Sequence, residues 1–385
     1  MMRRVLNDSE RVDWVQLIRT QGIGPITFYR LLSRFGSAAR ALDALPALSE
    51  RTSRSKPLKA FDRARAQEEV KRAWDTGTQI LASCEPDYPI LLTKIADPPP
   101  VLFMRGHVSL FDKPGVAIIG ARNASALGRK LARTLASDLG EAGYTVISGL
   151  ARGIDGAAHM ASLAHGTIAV VAGGIDVIYP PEHETLTGDI SRQGLVLSER
   201  PLGAEPTARD FPRRNRLISG LSRGVIIVEA AARSGTLITA RYALEQGREV
   251  FAVPGSPLDP RCKGANALLR DGATLVESAD DVISVLRAQL STMKEPDEAL
   301  TGDLFDALVA GDHPAPARDD AEATRARAAL CEQLQSLLGV TPIHRDELIR
   351  ECVASSAQVA DALLDLVLTG TVTEVSGGHF ALANP

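Results

Sequence analysis

The residues with the most chemical potential in this 385-residue chain are glycines and arginines at the ends of short apolar runs. Gly120-Ala121-Arg122-Asn123 follows VAII, and Gly149-Leu150-Ala151-Arg152-Gly153-Ile154-Asp155 follows VIS. Gly173-Gly174-Ile175-Asp176 follows AVVA, and Ala230-Ala231-Ala232-Arg233-Ser234-Gly235-Thr236 follows VIIVE. Glycine lets a backbone approach a ligand closely. A helix start offers unpaired N–H groups and partial positive charge, which suit phosphate. For any one such loop, tight packing is the plainer reading. Four on one sheet edge, with Arg122, Arg152 and Arg233 among them, favour phosphate. The candidate phosphate-loop residues are Gly120, Gly149, Gly153, Gly173, Gly174, Ser234, Gly235 and Thr236.

A second cluster, RDFPRRNRLISGLSR at 209–223, carries five arginines and one acid, with Phe211 just ahead of the run. Arginine forks bind phosphate oxygens, and an aromatic face can stack on an unpaired base. The alternative is a solvated basic helix with Phe211 as core. Its position between two strands at a phosphate-type edge points to nucleic acid. His159 follows Asp155 by one helical turn, so the two are expected to face each other as a structural pair. No Ser-His-Asp pattern, paired acids or metal spacing accompanies them. Neither a catalytic residue, a metal nor a cofactor is expected.

These loops need a scaffold. The runs VAII (116–119), YTVIS (144–148), TIAVVA (167–172), LVLS (195–198), VIIVE (225–229), EVFAV (249–253) and ATLV (273–276) alternate with helical segments. Continuous apolar runs between helices indicate a parallel sheet buried on both faces. The expected fold class is α/β, an extended Rossmann-like doubly wound, mostly parallel sheet, with VLFM (101–104) as an edge strand. Residues 323–385 read as three helices and a Gly-Gly hairpin, a winged helix. Near the N-terminus, Gln21-Gly22-Ile23-Gly24-Pro25 sits between two helical patterns. It reads either as a helix-hairpin-helix, whose turn amides touch phosphate, or as a tight turn in a small helical domain.

Charge divides the chain further. Residues 1–75 carry +6, residues 76–290 are neutral, and residues 291–385 carry −10. The expected division is a helical domain (1–75), a Rossmann-like domain (76–290), an acidic Pro-rich linker (291–322) in which LFDALV could form a short helix, and a winged helix (323–385). The winged helix carries −3, whereas reading DNA needs basic side chains against phosphates, so a protein-contact or regulatory role is favoured. No apolar run is long enough for a membrane span, and no signal peptide is visible, so a cytoplasmic location is expected. The four cysteines, Cys84, Cys262, Cys331 and Cys352, have no metal or disulfide spacing and read as buried thiols.

Together the motifs VAIIGARNASALG, VISGLARGIDGAAH, TIAVVAGGIDVIYP, LVLSERPLG, FPRRNRLISGLSRGVIIVEAAARSGTLITARYALEQGREVFAVPG and KGANALLRDGATLV resemble the DNA-processing protein A family (DprA, also called Smf). The resemblance spans residues 84–290, in order. The helical unit looks like that family's sterile-alpha-motif-like domain, and 323–385 like the winged helix that some members carry. The resemblance implies binding and protection of single-stranded DNA entering a cell during natural transformation. It also implies loading of a RecA-type recombinase, including onto strands coated by single-strand-binding protein, and a homodimer through the Rossmann-like domain. Arg122, Phe211, Arg213, Arg214 and Asn215 match the family's DNA-contacting motifs, and Arg152 and Lys263 are further candidates. Ala121 stands where many members have Ser, which removes one hydroxyl and implies slightly weaker contact there.

Two other classes compete. A nucleotide phosphoribohydrolase-like enzyme would carry P-G-G-x-G-T-x-x-E, but here Thr239 stands where the Glu would be, and the leading PGG is missing. A duplex-reading regulator would use the winged helix, against its acidic charge. The acidic linker or winged helix is also expected to compete with DNA for the basic 209–223 segment.

Overall fold

Buried on both faces, the strands of the central segment need almost no polar alternation. The computed structural model describes residues 3–50, 59–292, 321–339, 341–352, 354–375 and 378–383. The linker's LFDALV and most of the basic loop at 51–60 lie outside them. By contact the chain falls into two units, the described parts of Leu6–Gln67 with Glu298–Pro385, and Arg3–Val5 with Glu68–Asp297. The first and last of the four expected parts therefore share a unit.

The first unit begins with α1 (Asp8–Arg19), α2 (Pro25–Phe35) and α3 (Ala38–Glu50). Asn7 caps α1 in a reciprocal box with Glu10, worth about 1 kcal/mol. Gly22 takes φ +86° in the turn before α2, and Pro25 opens that helix where no N–H is needed. Val15, Leu17, Phe28, Leu31, Ala41 and Leu45 form its buried core. The C-terminal part holds α13 (Ala321–Leu337), α14 (Arg345–Glu351) and α15 (Ser356–Leu368) with β10 (Ile343–His344), β11 (Val372–Val375) and β12 (His379–Leu382). The expected hairpin pairs Val375 with His379, and β10 adds a third strand in the order β10-β12-β11. Leu334, Leu348, Leu363, Leu366 and Phe380 pack beneath it.

Helix α4 (Arg63–Asp75) leads into the second unit. Its sheet holds β1 (Gln79–Ala82), β2 (Val101–Gly106), β3 (Gly115–Ile119), β4 (Thr145–Ser148), β5 (Thr167–Val170), β6 (Leu195–Ser198), β7 (Gly224–Ile227), β8 (Glu249–Ala252) and β9 (Thr274–Leu275). Its order is β1-β2-β6-β5-β4-β3-β7-β8-β9. From β6 to β9 every neighbour is parallel, while β2 joins β6 and β1 joins β2 antiparallel. VLFM is therefore not an edge. The short run QILA, directly after a helix, supplies the edge strand that the sequence reading missed. The chain winds outward from β3 through β6, then returns past β3 to continue with β7, which sets the topological switch between β3 and β7.

Helices α5 (Ile90–Thr93), α9 (Asp210–Leu221), α10 (Thr236–Glu245) and α11 (Lys263–Arg270) contribute to the core on one face. Helices α6 (Ala126–Glu141), α7 (Ile154–Ser162) and α12 (Ala279–Thr292) contribute to the core on the other. Helix α8 (Glu184–Gln193) precedes β6. Ala132, Leu135, Ala136 and Leu139 show why α6 lies flat on the sheet: they recur at helical spacing and are fully buried. Cys84 and Cys352 are buried, while Cys262 and Cys331 are partly exposed. Among the described residues no helix is long and apolar enough to cross a membrane.

Candidate nucleic-acid interface

The loops after β3, β4, β5 and β7 lie at the carboxyl edge of the sheet, and glycine lets them interlock. A Cβ at Gly153, φ +78°, would stand 2.2 Å from the Ala121 carbonyl oxygen. Ile154 N–H donates to that same oxygen at 3.3 Å. Thr236 Oγ1 donates to the Gly120 carbonyl at 3.3 Å and receives a bond from Ser234 Oγ at 3.0 Å, joining the β7 loop to the β3 loop. Gly235 is exposed at the start of α10. Gly173 packs against Ala204 and Pro206, and Gly174 against Pro201 and Gly203.

Two buried carboxylates answer the polar groups of these loops from inside. Asp155 Oδ2 accepts from Gly149 N–H at 3.1 Å and Ala151 N–H at 3.3 Å. Glu229 accepts from Ser125 N–H at 3.0 Å and from Ser125 Oγ at 2.5 Å. Ser125 in turn caps α6 by accepting from Gly128 N–H at 2.8 Å. A Cβ at Gly128 would meet the Glu229 carboxylate at 2.6 Å, so this side chain fills the start of α6 beside the β3/β7 switch. Asp155 and His159 do not pair. The His159 Nδ1 meets Thr167 Oγ1 at 2.7 Å, while Asp155 turns to the loop amides. Burial lowers the His159 pKa to about 3, with His183 and Arg214 adding to the effect, so its ring is neutral.

Helical phase sorts the arginines of α9. Arg214, Leu217, Ile218 and Leu221 recur at helical spacing and all lie buried. Arg214 Nη1 donates to the Gly149 and Val170 carbonyls, each at 2.5 Å, and its Nε donates to Asn215 Oδ1 at 3.2 Å. Burial lowers the Arg214 pKa to about 10 against the attraction of Asp155, so it stays charged at neutral pH. The Asp155 carboxyl is pushed up by burial, opposed by Arg214 and the loop amides. Arg216 is also buried, paired with Glu199 and, at 3.2 Å, with Asp97. Arg213 is exposed. Pro212 sits in the first turn of α9, where its missing N–H costs nothing.

Phe211 gathers what remains outside. The exposed Arg122 guanidinium lies 5.1 Å from its ring centre, that of Arg214 lies 5.9 Å away, and the Tyr179 ring is at 5.5 Å. Phe211, Tyr179, Arg214, Gly149 and Gly173 line a small, shallow pocket at this edge. Arginine over an aromatic face is worth about 0.5–1 kcal/mol at an exposed site. The sequence reading missed Tyr179. Its signal was the aromatic in VIYP, directly beyond the GGID loop. The reading also missed Glu229 and Ser125, whose pairing needs β3 beside β7. Arg152 is exposed but paired with Glu182. Lys263 is exposed at the start of α11, which docks on the β7 loop through Gly264 N–H to the Ala230 carbonyl at 2.7 Å. It stands after β8, whereas the Phe211 cluster gathers Arg122, Tyr179 and Arg214. Among the described residues no His, Cys, Asp and Glu grouping could hold a metal ion.

Comparison with known proteins bears on all parts of the chain. Residues 79–287 match the family described as DNA recombination-mediator protein A. Residues 8–72 match the DprA-like N-terminal HHH domain, and residues 314–378 the DprA winged helix domain. The HHH description suits the Gly22–Gly24 turn between α1 and α2. Protein Smf of Synechocystis sp. is 33% identical over 393 residues, covering 97% of this chain and 99% of that protein. The X-ray structure of DNA processing protein A from Streptococcus pneumoniae aligns at TM-score 0.60 and 33% identity, covering 73% of this chain and 98% of that one. Helicobacter pylori DNA processing protein A, whose structure concerns its single-stranded DNA binding mode, aligns at TM-score 0.51 and 31% identity over 55% of this chain and 96% of that one.

Proposed function

The chain belongs to the DNA recombination-mediator protein A family, and from that premise we propose that it binds single-stranded DNA on the strand-end face of its α/β unit. The observation that carries this reading is the exposed Arg122 over Phe211, with Tyr179 beside the same ring and Arg213 exposed on the same helix. Cations take backbone phosphates without reading sequence, and an aromatic face takes an unpaired base. Duplex bases are already stacked on one another, so the cluster prefers single strands. Arg122, Phe211, Arg213 and Tyr179 make the contacts in this reading. Arg152, Asn215 and Lys263 extend the path, and Arg214 positions the cluster from beneath. The glycine loops serve close packing where their amides are already answered.

The wider activity follows the family: protection of incoming DNA in natural transformation and loading of a RecA-type recombinase, including onto strands coated by single-strand-binding protein. A homodimer through the Rossmann-like domain, a cytoplasmic location and the four-part division at 75, 290 and 322 belong to the same proposal. It involves binding and hand-over with no covalent step. The hydrolase alternative loses support twice. Thr239 replaces the needed Glu, and the Glu229 carboxylate fills the helix start that a nucleotide phosphate would use.

Fluorescence anisotropy of a labelled oligonucleotide, single-stranded against duplex and across a salt series, tests this. Single strands should bind far more tightly than duplex. Phe211→Ala should cost about 1–3 kcal/mol of binding free energy. Arg122→Ala should flatten the salt slope by about 0.7, one phosphate contact. Equal binding of duplex, or two variants indistinguishable from the parent protein, would overturn the assignment.

A further inference from the structure

The acidic winged helix has a cationic partner within its own unit. Arg30 and Arg34 lie one turn apart on α2 and so share a face. Arg30 Nη2 donates to Glu374 Oε1 at 3.2 Å, and Arg34 Nη1 donates to Asp365 Oδ1 at 3.4 Å. The Arg30 guanidinium also lies 5.3 Å from the centre of the Phe380 ring. Glu374 comes from β11, Phe380 from β12 and Asp365 from α15. The second helix of a helix-turn-helix is the one laid in a DNA groove, and here that helix is α15. Its Asp365 meets Arg34 instead. Asp365 is held in place by its own domain, since Arg327 Nε donates to its other oxygen at 2.6 Å.

The contact is close but incompletely satisfied. Side-chain exposure is 19% for Arg30 and 9% for Glu374. Arg345, whose Nε pairs with Asp346 at 3.6 Å, also attracts the Glu374 charge. Arg30 Nη1 is buried without a hydrogen-bond partner among the described residues. Burying ions whose donors stay unpaired returns little net stability. Such a contact holds when nothing competes and gives way to a richer source of negative charge.

We propose that the winged helix is a releasable acidic cover for α2, with Glu374 and Asp365 standing on Arg30 and Arg34 where the phosphates of a nucleic-acid strand would otherwise sit. The charges agree, +6 over residues 1–75 against −3 over residues 323–385. No residue of the Phe211 cluster takes part. The acidic C-terminal part thereby gains a basic partner other than the 209–223 segment that charge alone suggested.

Hydrogen exchange on the full chain tests the cover. Neutralising both acids (Asp365→Asn with Glu374→Gln) should raise exchange in residues 25–35 by roughly three-fold or more. In a Phe211→Ala background, which weakens the strand-end contribution, the same change should tighten oligonucleotide binding roughly five-fold at low salt. It should also steepen the salt slope by about 1.4, two phosphate contacts on a single strand. Arg34→Gln alone, at the outer pair where each side chain is 23% exposed, is the mild variant that leaves folding intact, and it should loosen the C-terminal half of α2. Unchanged exchange in the neutralised and mild variants would overturn the cover. Raised exchange with unchanged affinity would overturn the phosphate role of Arg30 and Arg34. Failure of the strand-end reading would appear separately, as Phe211→Ala having no effect in the otherwise unaltered chain.

Discussion

The strand-end loops of the α/β unit and the α2–winged-helix contact both gather arginines and carboxylates, but they spend the carboxylates differently. In the loops, Asp155 and Glu229 turn inward to backbone amides and a serine, which leaves Arg122 and Arg213 exposed. On α2, Glu374 and Asp365 sit on the arginines themselves. The first arrangement builds a hydrogen-bonded base under exposed cations; the second neutralises cations until something replaces the acids. Where an acid is aimed therefore decides whether a basic cluster is ready for an anion or withheld from one.

The sharpest break in that comparison is Arg214→Ala. It strips Asp155 of its buried countercharge and two strand ends of their donor, so urea unfolding should show a loss of about 3–5 kcal/mol. Arg122→Ala, on the exposed side of Phe211, should stay within about 0.5 kcal/mol of the parent protein. Equal stability of the two variants would erase the distinction between base and surface. Next in size, Glu229→Gln replaces a carboxylate that accepts two bonds from Ser125 and should cost about 1–3 kcal/mol while weakening oligonucleotide binding through the Arg122 loop. A variant as stable as its parent would detach Glu229 from that loop.

The last effect is graded with pH and vanishes near neutrality. His159 has its pKa depressed from 6.5 to about 3, so its contribution is present above pH 6.5 and is lost as pH falls toward 3. In that window the unfolded chain binds one more proton, and stability should fall by about 1.4 kcal/mol per pH unit. His159→Asn keeps a partner for Thr167 without titrating. Its stability profile should lose that slope, and an unaltered profile would remove His159 from the account.

Much of the second unit was legible because a strand buried on both faces writes itself as an apolar run. The runs from VAII to ATLV all appear as strands, and the loops that follow four of them carry the site glycines. QILA was lost because four residues directly after a helix carry too little pattern. Within the site, Phe211 and Arg122 were legible as types, whereas Asp155 and His159 took different partners from those their one-turn spacing suggested. The α9 arginines form an instructive middle case. Arg214 is in phase with Leu217, Ile218 and Leu221, so its burial was written in the sequence, but a run of arginines reads first as a basic surface.

By itself, the sequence determined the parallel sheet, the order of its loops, the acidic winged helix and the basic N-terminal segment, because periodicity and charge are local properties. Only the tertiary structure decided which arginines remain exposed. That choice depends on contacts between residues far apart in the chain: Ser125 with Glu229, Arg214 with the ends of β4 and β5, and Arg30 with Glu374. A guanidinium is ready for an incoming phosphate when no nearer oxygen already holds it, and spacing along the chain does not reveal where that oxygen is.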